Sequence, residues 1–267
     1  MINSNAVWVG EAIKYDQTRP TPPSVLIDIL TQLIRTPRPA LVVDLGCGTG
    51  LSTSIWGERA EHVIGIEPSD DMLTQARIKL KTHPYATHIT YQRGIAHQTG
   101  LASKSVDIVT CAQAFHWMEP STTLAEIARI LHPGGLFAAY DYSWPPTISW
   151  ELAQIFQEVD ARFEHLTQLR GAGEQGPRWS KEQHLERMRE SGHFRFIDEL
   201  VLHHCEQGDV TRFIGLILSS GYSYHLKHGT VTEQEIELDQ LRQAALDFIG
   251  TKPIPWYFSY RVRLGIR

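Results

Sequence analysis

Residues 41–50 read LVVDLGCGTG, in which a short and mostly apolar run is followed at once by Gly46, Gly48 and Gly50. A short apolar run bounded by glycine is typical of a buried strand that ends in a sharp turn. Glycine at such a corner adopts backbone angles that other residues avoid, and it lets a ligand come close to the main chain. In α/β sheets, nucleoside-containing cofactors bind at the carboxyl ends of strands. The stretch therefore predicts a cofactor site at this turn.

The composition is that of a folded protein with a substantial core. Of the 267 residues, 42% are hydrophobic and 21% are charged. The net charge of −5 gives no sign of binding to nucleic acid or to an anionic membrane, and no apolar run is long enough to span a bilayer. The three cysteines form no C-x-x-C pattern, and no signal-peptide pattern begins the sequence. We therefore expect a cytoplasmic protein without nucleic-acid or membrane partners, whose oligomeric state stays open.

Strand-like and helix-like segments alternate through the first half of the chain. The strand-like runs are ALVVDL, HVIGIE, ITYQRG, VDIVTCAQ and LFAAYDYS. The clearest helix-like segments are SDDMLTQARIKLK and STTLAEIARIL, for which we expect Ser69 and Ser121 to be the N-caps. Strands separated by such helices indicate a parallel sheet with right-handed crossovers. The first half therefore predicts an α/β fold.

The second half of the chain has a different pattern. Residues 144–193 are aromatic, charged and turn-rich, and a strand-like run, FRFIDELVLHHC, follows them. Helix-like segments at about 210–220 and 233–249 precede WYFSYRVRLGI, whose alternation predicts a last and antiparallel strand. We expect one domain with a core at about 25–143 and 194–267 and a lid-like insertion at about 144–193.

The residues around the glycines select the kind of cofactor. A dinucleotide fingerprint requires glycine at the position of Leu51, and no Gly-Lys-Ser or Gly-Lys-Thr follows to form a P-loop. Asp44 precedes the first glycine, and Glu67 ends the next strand, where a carboxylate can accept hydrogen bonds from both ribose hydroxyls. A positively charged cofactor that has a ribose and no pyrophosphate suits this arrangement. S-adenosyl-L-methionine has these properties.

Four stretches carry a family resemblance: VVDLGCGTG, GIEPSDDML, SVDIVTCAQAFHW and ILHPGGLFAAYDY. Their order and spacing resemble the successive motifs of class I S-adenosylmethionine-dependent methyltransferases. The nearest group is the type 11, trans-aconitate methyltransferase-like, small-molecule branch. The resemblance covers about 15–142 of the chain. It implies a Rossmann-like α/β fold with helices on both faces of a seven-stranded, mostly parallel sheet whose last strand is antiparallel, and with helical additions in the C-terminal half.

The resemblance also implies a set of cofactor-binding residues. They are Tyr15, Arg19, Asp44, Gly46, Gly48, Gly50, Glu67, Met72, Ile95, Ala96 and Gln113. Glu67 would hold the ribose and Met72 would pack on the adenine, although Glu67 could instead cap the following helix. The family often has an acidic residue at the position of Ile95. Adenine recognition would therefore rely on backbone groups of Ile95 and Ala96, or on His97.

The other cofactor residues would lie towards the methionine end. Tyr15 and Arg19 resemble an N-terminal segment that closes over the cofactor, where Arg19 could pair with its carboxylate. Gln113 would border the methionine moiety, and Asp44 would lie near it. Structural alternatives stay open: Asp44 could fix the glycine loop, Met72 could belong to the core, and Arg19 could be a solvated loop charge.

Catalytic and acceptor residues are expected at the carboxyl ends of later strands. His116 is the candidate general base for a hydroxyl acceptor, and the alternative is a histidine packed beside Trp117. Trp117, Trp144, Arg170 and Trp179 are candidates for a partly apolar acceptor pocket, in which an arginine could grip a carboxylate. The alternative is that these tryptophans form a lid core and the arginine is solvated.

The expected reaction is an in-line displacement at the sulfonium methyl by a small-molecule nucleophile, and S-adenosyl-L-homocysteine is the product. A carboxylate or hydroxyl oxygen is the expected acceptor atom. The alternatives are a nucleic-acid or protein methyltransferase and a cofactor-binding protein without turnover. We expect no metal site, because no H-E-x-x-H or similar ligand pattern occurs. Arg261 and Arg263, two positions apart in the last strand, are expected at a solvated edge.

Overall fold

The computed structural model describes residues 12–171 and 178–267. Seven strands form one sheet in the order β3-β2-β1-β4-β5-β7-β6. The strands are β1 (Leu41–Leu45), β2 (His62–Glu67), β3 (Ile89–Arg93), β4 (Val106–Ala112), β5 (Leu131–Tyr142), β6 (Phe196–Gly208) and β7 (Ile254–Ile266). The pairs β1–β2, β1–β4, β2–β3 and β4–β5 are parallel, and β5–β7 is antiparallel. The predicted α/β class, with a mostly parallel seven-stranded sheet and an antiparallel last strand, is confirmed.

The α-helices of the described residues connect and flank these strands. They are α1 (Ala12–Thr18), α2 (Val25–Leu33), α3 (Leu51–Ser54), α4 (Asp70–Leu80), α5 (Pro120–Ile130), α6 (Trp150–Leu169), α7 (His184–Glu190), α8 (Val210–Ile217), α9 (Ser223–Lys227) and α10 (Leu238–Ile249). Short 3-10 turns lie at Ala86–His88, Phe115–Trp117 and Lys181–Gln183, and a π-turn lies at Leu218–Tyr222.

Side-chain caps account for where two of the predicted helices begin. Ser69 accepts the backbone N–H of Met72 and is the N-cap of α4, as predicted. The expectation that Ser121 caps α5 is wrong: Glu119 accepts the N–H groups of Ser121 and Thr122, and Pro120 occupies the first turn. Proline fits there because the N–H groups of the first turn have no partner within the helix, so its missing N–H costs no helical hydrogen bond.

The helix expected from residue 233 begins only at Leu238. Glu237 has a φ of 55°, in the left-handed region that interrupts a helix. Residues 233–237 are therefore a turn, and α10 is the shorter remainder of the predicted segment.

The chain forms two compact units. The first comprises the described parts of Met1–Pro20, Ser143–Gly176 and His203–Ser259. Its helices include α1, which packs on α8, and α6, which packs on α10. Its aromatic core includes Phe163 stacked on Tyr222, with ring centroids 3.9 Å apart, and Phe213 edge-on to Trp256.

The second unit comprises Thr21–Tyr142, the described part of Pro177–Leu202, and Tyr260–Arg267. Its core lies on the central strands, where Val43, Val109 and Phe137 are fully buried together with Phe115 and Ile127. Strands buried on both faces require such continuous apolar runs, which explains the sequence of β1 and β4. The predicted division of the chain into a core and a lid-like insertion at 144–193 stays a prediction.

Among the residues that the structure describes, no helix is both long enough and apolar enough to cross a membrane.

Candidate cofactor site at the strand ends

The three glycines after β1 have a left-handed backbone, with φ values of 67°, 55° and 82° at Gly46, Gly48 and Gly50. A Cβ on Gly46 would lie 2.6 Å from the Cβ of Ala114, and one on Gly50 would lie 2.1 Å from the hydroxyl oxygen of Tyr91. A Cβ on Gly48 would meet nothing within 4 Å. The loop is therefore pressed against its neighbours on two sides and is open at Gly48, as a cradle for a closely approaching ligand must be.

Glu67 joins this loop to the end of the neighbouring strand. Its Oε2 accepts the backbone N–H of Gly48 at 3.0 Å, and its Oε1 accepts that of Ser69 at 2.9 Å. Burial raises the pKa of Glu67, and the two backbone hydrogen bonds oppose that shift. Each carboxylate oxygen has a second lone pair, so both can still accept a hydrogen bond from a ligand.

Asp44 is fully buried at the end of β1, inside a set of hydroxyl donors. Its oxygens accept hydrogen bonds from Ser52 at 2.5 Å, Thr53 at 2.7 Å and Thr110 at 2.9 Å. Burial raises the pKa of this carboxyl, and the three hydroxyls lower it. These bonds tie β1, α3 and β4 together, which is the loop-fixing role that the sequence left open for Asp44.

Residues predicted to contact the adenine follow the next two strands. Met72 lies in the first turn of α4, after β2, and is buried. Ile95 and Ala96 follow β3, where Ile95 is exposed and Ala96 is buried. Because β2 and β3 are parallel neighbours, both turns lie at the same edge of the sheet as the glycine loop.

The turn after β4 places Gln113 and His116 beside the loop. Ala114, which limits the space at Gly46, lies between them. Gln113 has a φ of 51°, and its N–H donates to the carbonyl of Tyr140 at 2.9 Å. His116 is buried, and its carbonyl accepts the N–H of Trp179 at 2.9 Å.

Two further predicted residues of this unit, Trp117 and Trp179, each have an arginine guanidinium over the ring. The guanidinium of Arg178 lies 4.4 Å from the ring centroid of Trp117, and that of Arg187 lies 5.2 Å from that of Trp179. Both are cation–π distances. The aromatic residues at this edge of the sheet therefore lie in a basic neighbourhood.

A buried ionic cluster surrounds Asp141 near the end of β5. Its carboxylate lies 3.1 Å from Nη1 of Arg263, 2.9 Å from Nζ of Lys181 and 3.9 Å from Nδ1 of His116. The expectation of a solvated edge is wrong for Arg263, which is buried and also contacts Glu199 at 3.1 Å. Burial of this arginine is tolerated because it is paired with two carboxylates.

The predicted residues of the first unit have partners within that unit. Arg19 donates to the hydroxyl and the carbonyl of Ser219, at 2.9 and 2.8 Å, and lies over the ring of Tyr15. The guanidinium of Arg170 binds both carboxylate oxygens of Glu235, at 2.6 and 3.0 Å. Trp144 packs edge-on against Phe156, with ring centroids 5.6 Å apart.

Among residues 12–171 and 178–267, no three histidine, cysteine, aspartate or glutamate side chains lie together as metal ligands would.

Residues 43–139 match the family model for a methyltransferase domain. Over 150 residues the chain is 38% identical to an uncharacterized methyltransferase of Mycobacterium tuberculosis, and the match covers 55% of this chain and 57% of that protein. A protein of Saccharomyces cerevisiae assigned as an S-adenosylmethionine-dependent methyltransferase is 29% identical over 141 residues, which are 52% of this chain and 48% of that protein. Residues 43–139 are therefore a methyltransferase domain, and these similarities support a class I S-adenosylmethionine-dependent methyltransferase. The chain spans about half the length of the curated relatives that it matches.

A solved structure from Anaeromyxobacter dehalogenans, assigned as a type II methyltransferase, has a fold similar to that of this chain over most of its length. Its TM-score is 0.62 at 25% sequence identity, and the match covers 93% of this chain and 97% of that one. The enzyme class and the cofactor predicted from the sequence are thus confirmed at the level of the domain.

The methyltransferase domain contains features that fit S-adenosylmethionine. The opening at Gly48 leaves room for a ligand against the main chain, and the Glu67 carboxylate beside it has the chemistry to accept ribose hydroxyls. Sequence reasoning missed Ser52, Thr53 and Lys181. The first two carry a signal, because these hydroxyl residues come soon after the glycine loop, whereas Lys181 lies 40 positions from Asp141 and has none.

Proposed function

We propose that this protein transfers the methyl group of S-adenosylmethionine to a carboxylate or hydroxyl oxygen of a small molecule. The observation that carries the proposal is the hydrogen bond from Gly48 to Glu67 beside a loop that is open at Gly48. The methyltransferase domain at residues 43–139 supports the same activity. The resemblance to the trans-aconitate methyltransferase-like branch, together with the net charge of −5, favours a small acid over nucleic acid.

The residues of the second unit that would surround the cofactor lie at the ends of four strands, β1 to β4. Glu67 would accept the ribose hydroxyls, and Gly46, Gly48 and Gly50 would lie beneath the cofactor. Met72, Ile95 and Ala96 would border the adenine, while Gln113 would border the methionine moiety and Asp44 would hold the loop. The assignments of Tyr15, Arg19, Trp144 and Arg170 rest on the sequence and its family resemblance and stay predictions.

When bound, S-adenosylmethionine supplies a methyl group already activated by the sulfonium charge. The protein therefore has to bring the acceptor into line with that methyl group and to exclude water, and such positioning can be worth about 7–11 kcal/mol. A carboxylate acceptor needs no base. For a hydroxyl acceptor, His116 would take the proton, because it lies at the same strand ends as the glycine loop.

The experiment incubates purified protein with S-adenosylmethionine labelled in its methyl group and with a metabolite extract, followed by mass spectrometry. A labelled small molecule should form with the wild type and not with Glu67→Ala. If the label appears in protein or nucleic acid instead, the result contradicts a small-molecule acceptor and favours a protein or nucleic-acid methyltransferase. Cofactor binding with no S-adenosylhomocysteine formed from any extract would favour a non-catalytic binding protein.

A further inference from the structure

We propose that the ammonium of Lys181 binds a carboxylate at the carboxyl ends of β4 and β5. The inference deepens the proposed function, on which it rests, by assigning an anion-binding residue to that site. Two carboxylates could occupy such a position: that of the methionine moiety of the cofactor, and that of an acidic acceptor. Both have the same chemistry, so the experiment below separates them.

The position of Lys181 is fixed by two side chains from neighbouring strand ends. Its Nζ donates to Oε1 of Gln113 at 2.6 Å and lies 2.9 Å from Oδ1 of Asp141. The side chain is 33% exposed, so Lys181 is anchored by these partners and is still partly open to the surface of the unit. A lysine held in this way is a directed positive charge.

The charge of Asp141 is neutralised without Lys181. Asp141 is already paired with Arg263, which is buried and lies 3.1 Å away. Lys181 is thus a second cation on one carboxylate. Glu199 is shared between Arg263 and Arg261, at 3.1 and 3.7 Å.

The other charged groups near Lys181 do not remove this excess of positive charge. Glu182 is held by the hydroxyl of Ser180 at 2.5 Å and is exposed. Arg178 and Arg187 add two positive charges over the rings of Trp117 and Trp179. The neighbourhood is therefore basic in a protein whose net charge is −5, and it suits an anionic group.

The position of Lys181 also points to this site rather than to a distant surface. Its partner Gln113 begins the turn that contains Ala114, and Ala114 limits the space at Gly46 in the glycine loop. Gln113 is also the residue that the family resemblance places beside the methionine moiety. A carboxylate bound by Lys181 would therefore lie at the methionine end of the cofactor or beside the methyl group to be transferred.

The experiment compares S-adenosylmethionine with its decarboxylated analogue by calorimetry, in the wild type, Lys181→Gln and Lys181→Arg. Lys252→Gln, which alters an exposed lysine of the first unit, is the matched control. If Lys181 binds the cofactor carboxylate, Lys181→Gln should bind S-adenosylmethionine about tenfold to a hundredfold more weakly, because a charge-assisted hydrogen bond is lost. The affinity of Lys181→Gln for the decarboxylated analogue should equal that of the wild type. Lys181→Arg should retain most of the wild-type preference for S-adenosylmethionine over this analogue.

If the acceptor is the source, both cofactor affinities stay unchanged in Lys181→Gln. Binding of benzoate and hexanoate, followed on the tryptophan indole N–H signals by NMR, should then be lost in Lys181→Gln and kept in Lys252→Gln. Benzamide and hexanamide should bind equally to all variants.

The inference is overturned if Lys181→Gln matches the wild type with both cofactors and both acids, or if the wild type binds neither acid and Lys181→Gln keeps its full affinity for S-adenosylmethionine. A wild type that binds no S-adenosylmethionine contradicts the proposed function instead, and the acid measurements then decide on Lys181 alone.

Discussion

The carboxylate of Glu67 accepts the backbone N–H of Gly48 at 3.0 Å, across 19 positions of sequence. This bond joins the loop after β1 to the end of β2, and its second oxygen fixes the N–H of Ser69 at the start of α4. One buried carboxylate therefore shapes both turns that would surround a ribose. Burial of this carboxyl is tolerated because both of its oxygens are hydrogen-bonded, and it lies beside the opening at Gly48.

Gly48 and Gly50 provide a matched pair for testing the cradle. Gly50→Ala should destabilise the protein by about 2–4 kcal/mol, because its Cβ would clash with the hydroxyl of Tyr91 at a φ of 82°. Gly48→Ala has only backbone strain to bear, about 1–2 kcal/mol, because its Cβ enters open space. Thermal unfolding measures both effects.

Cofactor affinity should separate the same pair of variants. Gly48→Ala should remain folded and bind S-adenosylhomocysteine at least tenfold more weakly, because the methyl group occupies the space left for the ligand. Equal affinity of Gly48→Ala and the wild type would place the ligand elsewhere.

His184 should make the stability of the protein depend on mildly acidic pH. The side chain is fully buried against Phe115, and burial lowers its pKa to about 4 from 6.5. Asp141 opposes this shift, while Arg263, Arg187 and Lys181 add to it. Between pH 6.5 and 4 the unfolded chain therefore binds the proton and the folded protein does not. The stability that the neutral imidazole confers is complete above pH 6.5 and falls by up to about 3 kcal/mol as the pH drops to 4.

Denaturant unfolding of His184→Leu across this range checks that expectation. The variant should lose most of the slope between pH 6.5 and 4, whereas His132→Leu, at an exposed position, should keep it. Equal slopes in His184→Leu and the wild type would contradict the assignment.

Glu126 should have the opposite pH window. Its carboxylate accepts hydrogen bonds from Arg129 at 2.6 Å and from the N–H and hydroxyl of Thr99 at 2.9 and 2.6 Å, and Arg129 is the main cause that lowers the pKa of Glu126 to about 2. Its contribution is therefore present above pH 4.5 and is lost as the pH falls towards 2.

Glu126→Gln should cost about 2 kcal/mol at pH 7 and much less at pH 3, measured by denaturant unfolding. Glu190→Gln, at an exposed position, is the control and should show no such difference. A loss for Glu126→Gln that is the same at both pH values would show that charge is not its source.

The sequence predicts local features of this fold well. The apolar run before Gly46 forms β1, and Ser69 caps α4, because both depend on residues within a few positions of one another. The α/β class follows from the same alternation of short strands and helices. The placement of Glu67 at the end of β2 was accessible for the same reason.

Contacts between distant segments could not be read in this way. The alternation in β7 gives no indication that β5 is its neighbour, with Ala139 opposite Arg263 and Asp141 opposite Arg261. Without that register, Arg263 has no visible partner and is taken for a solvated charge. Lys181 is hidden for the same reason, since its partners come from the ends of β4 and β5.

The central claim is that Glu67 and the glycine loop hold the ribose of S-adenosylmethionine. Calorimetric titration of S-adenosylhomocysteine into the wild type and into Glu67→Ala tests it most directly, once thermal unfolding has shown that the variant is folded. The account predicts one-to-one binding by the wild type and a loss of about a hundredfold to ten-thousandfold in the variant, because two charge-assisted hydrogen bonds of about 1.5–3 kcal/mol each disappear. A wild type that gives no binding, or a folded Glu67→Ala that binds as tightly as the wild type, would contradict it.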